Sequence, residues 1–111
     1  MMEQRSLLLV PFPFFDQKGR KVRPVIVLSN DDFNENSGDI LVAGVTSNVS
    51  KSKYASSLTN KDLEDGKLSA SCRIKCENIL RIDKERVIRK IGKIRREKFE
   101  EVKKILFEII K

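Results

Sequence analysis

Hydrophobic residues cluster in short runs that polar, glycine-containing or proline-containing segments separate. Short apolar runs bounded by turn residues predict β-strands. We place strands at residues 7–12, 25–29, 40–46, 54–58, 69–80 and 88–94. The last fifteen residues differ, because apolar residues recur there at helical spacing and Glu and Lys fill the other face. We expect this C-terminal helix to cover a sheet or a partner subunit.

Two of these strands carry further local signals. Residues 25–28 are apolar without alternation, which predicts a strand covered on both faces. Pro24 has no N–H for a sheet ladder and pushes Arg23 toward extended geometry, so we expect this strand to begin at or just after the pair. Gly44 predicts a bulge or a close approach in its strand. Between the strands, residues 30–38 indicate a turn-rich connection, residues 47–52 a loop, and residues 60–66 a turn or a single helical turn. Asp83 is the expected N-cap of a brief helical turn.

The strand at residues 69–80 alternates between two kinds of side chain. One face holds Cys72, Ile74 and Cys76, with Asn78 as a further candidate, and the other holds Arg73, Lys75 and Glu77. In a strand the two cysteine Cα atoms lie about 13 Å apart, beyond the roughly 7 Å that a disulfide tolerates. We therefore expect free thiols, and no zinc site within one protomer, since the chain has no histidine.

The pattern of short strands and one terminal helix predicts a small, barrel-like, β-dominated α+β fold. The 111 residues suit a single domain spanning residues 1–111. No apolar run reaches the roughly 20 residues of a membrane span. The run at residues 7–15 is broken by two prolines and is not followed by a cleavage pattern, so we expect a cytoplasmic protein without a membrane partner.

The chain carries a net charge of +7, which residues 1–96 hold, because four Glu and four Lys cancel in residues 97–111. A basic body of this size predicts an anionic partner, either nucleic acid or an acidic peptide. A solvated basic surface is the alternative. P-loops, G-x-S-x-G motifs and metal-ligand spacings are absent from the sequence. What remains is a set of polar residues at strand ends, which are either ordinary solvated residues or parts of a cleft.

The ordered motifs "LLVPFPFFDQKGRKVRPVIVLSND", "ILVAGVTSN" and "IKCENILRIDKERV" resemble those of the MazF/PemK family of toxin endoribonucleases from toxin–antitoxin modules. The resemblance covers nearly the whole chain. It implies an SH3-like, CcdB-like β-barrel with a C-terminal amphipathic helix, usually found as a homodimer. It also implies a cytoplasmic toxin whose partners are single-stranded RNA and a cognate antitoxin with an acidic or disordered segment.

The resemblance assigns catalytic roles to Arg23, in the "RP" motif, and to Thr46, at the end of a later strand. Glu77 occupies the place of an acidic residue that takes part in some members, and Lys75 stands where an arginine can stand. Two departures are that Arg5-Ser6 replaces the Gly-Asp with which the family commonly begins its first strand, and that the chain lacks the first-loop histidine of some members. The identity of the general base therefore stays open, with Glu77 as the only nearby carboxylate.

The implied reaction is cleavage of mRNA at specific sequences without metal or cofactor, through attack of the ribose 2′-hydroxyl. An arginine guanidinium suits this reaction as a phosphate clamp rather than as a base. The RNA-binding residues expected from the resemblance and the charge are Gln17, Lys18, Arg20, Lys21, Ser47, Asn48, Lys51, Lys53 and Lys75. Phe14, Phe15 and Tyr54 are candidates for base stacking, although core packing is the favoured reading of the phenylalanines. A CcdB-like toxin that acts only by binding and a non-catalytic RNA-binding barrel are the competing interpretations.

Overall fold

The structure, a computed structural model, describes residues 2–11, 22–48 and 52–111. Seven strands form one antiparallel sheet in the order β4-β6-β3-β2-β1-β7-β5. The sheet curls into a half-barrel and a C-terminal helix packs on it, which confirms the predicted β-dominated α+β fold. The elements are β1 (Ser6–Pro11), β2 (Val22–Val27), α1 (Asp31–Asn36), β3 (Asp39–Thr46), β4 (Ala55–Leu58), β5 (Leu63–Gly66), β6 (Cys72–Asp83), β7 (Arg89–Ile94) and α2 (Arg96–Ile110).

Each face of the sheet has its own hydrophobic core. The first core lies under α2, where Phe99 and Val102 pack with Ile26, Ile74 and Ile94. The second core, on the other face, is formed by Leu8, Val10, Val25, Val27, Ile40 and Val42, with Val87 and neighbouring side chains packed against it. Burial on both faces explains why β2 is apolar without alternation, as the sequence predicts, because Val25, Ile26 and Val27 are all fully buried.

The predicted start of β2 is wrong. The strand begins at Val22, and Pro24 lies within it, opposite Leu9 of β1. The ladder with β3 contains only the three pairs from Val25 to Val27. A proline is compatible with this position because β2 is paired on one side only there.

Gly44 lies at a bulge, as the sequence predicts. Ala43 pairs with Ile79 of β6, but the next residue, Gly44, pairs with Lys75. Residues 76–78 therefore loop out of the β3–β6 ladder. The Asn78 side chain closes over Gly44, where an added Cβ would lie 2.8 Å from its Nδ2 atom. Beyond the bulge β6 continues to Asp83, three residues past the predicted end.

Two predicted turns contain regular structure. Residues 30–38 include α1, whose N-cap Asn30 accepts a hydrogen bond from the backbone N–H of Phe33 at 2.8 Å. Residues 60–66 contain a 3₁₀ turn followed by β5, which pairs with β7. The other predictions hold: α2 forms, and Asp83 caps a 3₁₀ turn at Lys84–Arg86.

Both cysteines are free, as predicted. Burial raises the pKa of the Cys76 thiol to about 11 and raises that of Cys72 to a lesser degree. Within the described residues, no helix is long and apolar enough to cross a membrane.

Candidate functional site at one end of the sheet

Polar side chains from four neighbouring strands align at one end of the sheet. The β2–β3 ladder ends at Val25 and Gly44, and its register, if continued by two residues, would put Arg23 across from Thr46. Thr46 in turn lies opposite Arg73 of β6, and Arg73 lies opposite Ser57 of β4. Alternation along β3 puts Thr46 on the face of Ile40 and Val42, which faces away from α2. The polar row therefore lies on the same face of the sheet as the second core, at the end of the strands.

A cleft of about 60 Å³ opens at this row. One water molecule needs roughly 10–15 Å³ of such space, so the cleft has room for a group the size of a few waters. Its lining residues are Thr46, Asn48, Ser52, Ala55, Arg73 and Lys75. They contribute two cationic side chains, two hydroxyls and an amide, with no carboxylate among them. This composition favours an anionic ligand.

The Thr46 hydroxyl is oriented by its own strand end. The backbone N–H of Asn48 donates a hydrogen bond to Thr46 Oγ1 at 3.1 Å. Such side chain to backbone contacts are typical of Ser and Thr at turns. Because Oγ1 accepts this bond, the hydroxyl hydrogen can be donated to a ligand oxygen in the cleft.

Arg73 carries an unusual donor. Its Nε atom is buried and has no hydrogen-bond partner among the residues that the structure describes. Buried polar groups in native proteins are nearly always paired, and exceptions point to a strained or functional group or to a missing ligand or water. The sequence places Arg73 with Lys75 and Glu77 on the polar face of β6, among the strand-end residues that could face a cleft, but the family motifs assign it no role. The burial of its Nε atom is a property of the fold that the sequence does not show.

Glu77 lies in the bulge at the rim of the cleft. It is exposed, and the hydroxyl of Ser52, a lining residue, donates to Glu77 Oε2 at 3.4 Å. Ser52 was also missed by the sequence analysis, which reads residues 47–52 only as a loop. The bulge and this contact bring Glu77 toward the cleft without making it part of the lining.

The remaining predicted residues occupy three kinds of position. Lys75 lines the cleft, whereas Arg23 is half-buried on β2 and stands outside the lining set. Ser47 and Lys53 are exposed, and Lys53 Nζ lies 5.4 Å from the centre of the Tyr54 ring. Gln17, Lys18, Arg20, Lys21 and Lys51 lie outside the described residues, as do Phe14 and Phe15. Among the described residues, no group of three or more His, Cys, Asp or Glu side chains could hold a metal ion.

Solved toxin structures share this fold. The Mycobacterium tuberculosis toxin MazF-mt6 is 18% identical, with a TM-score of 0.77 over 96% of each chain. A chain of the MazE-MazF structure from Deinococcus radiodurans is 19% identical, with a TM-score of 0.77 over 98% of this chain and 95% of that one. An endoribonuclease in complex with its cognate antitoxin, from mycobacterial species, is 12% identical, with a TM-score of 0.75 over 99% and 95% of the two chains. At these identities the likeness establishes the fold.

The curled sheet, its C-terminal helix and the basic cleft thus define a small domain of the MazF toxin fold. The family of PemK-like, MazF-like toxins of type II toxin–antitoxin systems matches residues 3–110. The chain belongs to this family, which confirms the resemblance drawn from its motifs.

Proposed function

We propose that this protein is the toxin of a type II toxin–antitoxin module and acts as an endoribonuclease on single-stranded RNA. The observation that carries the proposal is the cleft lined by cationic and hydroxyl groups at the end of the strand of Thr46, with Arg23 on the adjacent strand two residues beyond the last β2–β3 pair. Family membership and the endoribonuclease among the structural neighbours support it. A protein that acted only by binding would not need this pair.

The chemistry that suits these groups uses the RNA itself as the nucleophile. The ribose 2′-oxygen attacks the adjacent phosphorus, the O2′–P bond forms and the P–O5′ bond breaks. The 2′-hydroxyl proton passes to a base, and the departing 5′-oxygen takes up a proton. The products are a 2′,3′-cyclic phosphate and a 5′-hydroxyl end. Negative charge grows on the phosphoryl oxygens during this step, where preorganised hydrogen-bond donors stabilise it.

Each candidate residue has a role in this reaction. The Arg23 guanidinium clamps the phosphoryl oxygens and assists the leaving group, because its N–H fork matches two of them. The Thr46 hydroxyl donates to a phosphoryl oxygen, and its backbone contact with Asn48 supports this orientation. Glu77 accepts the 2′-hydroxyl proton. Its contact with Ser52 links it to the cleft, and its exposed carboxylate can reach a bound ribose.

The rest of the RNA would follow the basic surface around the cleft. Lys75 lies inside it, Asn48 and Ser47 lie at its β3 side, and Lys53 with Tyr54 offers a cation and a ring on the β4 side. The residues expected to extend this track are Gln17, Lys18, Arg20, Lys21 and Lys51. We further propose that the protein works in the cytoplasm as a homodimer of single-domain chains. An antitoxin segment with acidic residues would compete with RNA for the same surface. Two structural neighbours, an endoribonuclease with its cognate antitoxin and MazE-MazF, support an antitoxin partner.

The test is cleavage of a long mRNA by the purified protein in EDTA, with the cut ends sequenced and their chemistry determined. We expect cuts that leave cyclic phosphate and 5′-hydroxyl ends, and none in DNA of the same sequence, which lacks the nucleophile. Arg23→Ala should abolish cleavage, whereas Arg89→Ala should retain it. Arg89 is a matched control because it is an exposed arginine on the other face of the sheet. It pairs with Leu9 of β1, and Leu9 alternates with Leu8 and Val10, whose side chains lie on the face of the second core and the cleft. Full activity of Arg23→Ala would refute the role of Arg23, and failure to cut any mRNA would favour a toxin that acts by binding.

A further inference from the structure

Thr46 lies between two arginines in the row at the end of the sheet. Arg23 lies on the neighbouring strand β2, two residues beyond the last β2–β3 pair, and Arg73 lies directly opposite Thr46 on β6. Of these two arginines, Arg73 lines the cleft together with Thr46, and Arg23 does not. The family motifs point to Arg23 alone, so a second guanidinium beside the threonine needs its own explanation.

The surroundings of Arg73 have the composition of an anion site. Its Nε–H is shielded from water and unpaired within the described part of the chain, a destabilising arrangement that a bound acceptor would correct. Lys75 supplies a second positive charge in the same lining, and Thr46 supplies a hydroxyl. Among the described residues of the lining there is no carboxylate, and Glu77 lies outside it, at the rim beside Ser52. A tetrahedral oxyanion fits both the small volume and this donor set.

We propose that Arg73 is a phosphate-binding residue, which holds an RNA phosphate in the cleft together with Thr46 and Lys75. The inference rests on the proposed RNA cleavage for its substrate, but the anion site itself does not depend on it. Arg73 and Arg23 would grip the phosphate from opposite sides of Thr46. Planar guanidinium groups bind phosphate through paired N–H donors, a geometry that a lysine ammonium does not reproduce.

The first test measures phosphate binding without cleavage. Inorganic phosphate is titrated into ¹⁵N-labelled protein, with chloride at equal ionic strength as the control, and the arginine Nε–H signals are followed by NMR. Loss of one signal in Arg73→Lys identifies that of Arg73. We expect this signal to shift with phosphate but not with chloride, while that of Arg89 stays constant. An Arg73 signal that responds to neither ion would overturn the proposal.

The second test measures the reaction. In Arg73→Ala we expect kcat/KM for RNA to fall by about tenfold to 100-fold, the range for losing a hydrogen bond to a charged group. The fall should appear in both kcat and KM, because the phosphate is charged in the bound substrate and gains more charge in the transition state. Arg73→Lys should recover part of it, and Arg89→Ala should match the wild type. Wild-type kinetics in a folded Arg73→Ala protein would overturn the inference but leave the proposed nuclease intact. Phosphate binding at Arg73 in a wild-type protein that cuts no RNA would support the anion site and refute the nuclease.

Discussion

A partly buried ion pair within α2 is hydrogen-bonded to Ser56 of β4, a strand that borders the cleft, and its removal tests what the buried lysine contributes to stability. Lys98 is only 8% exposed, and its Nζ atom lies 3.0 Å from Glu101 Oε2 and 3.1 Å from Ser56 Oγ. Ser56 also donates to Glu101, and Asp62 lies 3.9 Å from the ammonium. Ser56 belongs to β4, next to Ser57 of the polar row. Lys98→Met removes the charge but keeps the length of the side chain and its helix propensity.

The size of the effect follows from the unequal burial of the partners. Breaking a fully buried pair costs about 3–5 kcal/mol, whereas exposed pairs contribute about 0.2–1 kcal/mol. Here the lysine is buried but the Glu101 side chain is 51% exposed, so solvent screens the pair. We expect a Lys98–Glu101 coupling free energy of about 1–2 kcal/mol. The pair Lys103–Glu100 in the same helix is the control. Its atoms lie 2.8 Å apart but both side chains are more than half exposed, so its coupling should stay below about 0.5 kcal/mol.

Urea unfolding of the single and double variants Lys98→Met and Glu101→Gln gives this coupling from a double-mutant cycle. The hydrogen bond from Ser56, helped by Lys98, holds the pKa of Glu101 below its ordinary value of 4.5 against the opposing effect of burial. A carboxylate with a lowered folded-state pKa contributes stability above its unfolded value and loses it as the pH falls through the folded value. The coupling should therefore be constant above pH 4.5 and vanish in more acidic buffer. A coupling no larger than that of Lys103–Glu100, or one independent of pH, would refute the reasoning.

Two further outcomes are expected from local geometry. Arg5 has a φ of 77°, in the left-handed region, where a Cβ costs about 1–2 kcal/mol. Arg5→Gly should therefore be more stable than Arg5→Ala by about 1 kcal/mol in urea unfolding. Equal stabilities of the two variants would contradict the backbone strain. The pKa of about 11 for Cys76 predicts that iodoacetamide at pH 8 leaves this thiol unmodified in the folded protein and alkylates it in urea, which mass spectrometry can measure. Rapid alkylation of Cys76 in the native protein would contradict this prediction.

The left-handed Arg5 coincides with one departure from the family pattern. In place of the glycine that the resemblance implies, this chain has an arginine in a backbone conformation that suits glycine. Its side chain is anchored, since Nη1 donates to Glu64 at 2.8 Å and to the carbonyl of Ile94 at 2.8 Å. These two hydrogen bonds hold the Arg5 side chain in place while its backbone adopts the unfavourable φ.

The sequence predicts best the elements whose pattern directly records burial. Helix α2 and strands β1 to β3 are of this kind, because their apolar residues meet the two cores. The sequence does not predict β5, because only Leu63 of its four residues is buried and the strand is stabilised by its hydrogen bonds with β7. Helix α1 had a readable signal in its N-cap Asn30, but its mostly polar residues resemble those of a turn.

The candidate site divides in the same way. The "RP" motif and the strand-end threonine identify Arg23 and Thr46 through resemblance, and the sheet register aligns them. Arg73 and Ser52 carry no comparable signal, because their importance depends on which atoms the fold buries and on the path of the loop before β4.

The position of Pro24 accounts for the end of the β2–β3 ladder beside the candidate site. Within the described residues, β2 stays paired with β1 as far as Val22, but its ladder with β3 ends at Val25. Pro24 lies at that point and has no N–H with which to extend a ladder. The ends of β2 and β3 are therefore released from each other just where Arg23 and Thr46 stand. On its other side, β3 remains paired with β6 up to Thr46 and Arg73, so the threonine and the second arginine are held in fixed register. A site built this way combines a rigid half on β3 and β6 with an arginine on β2 that the β3 ladder does not constrain.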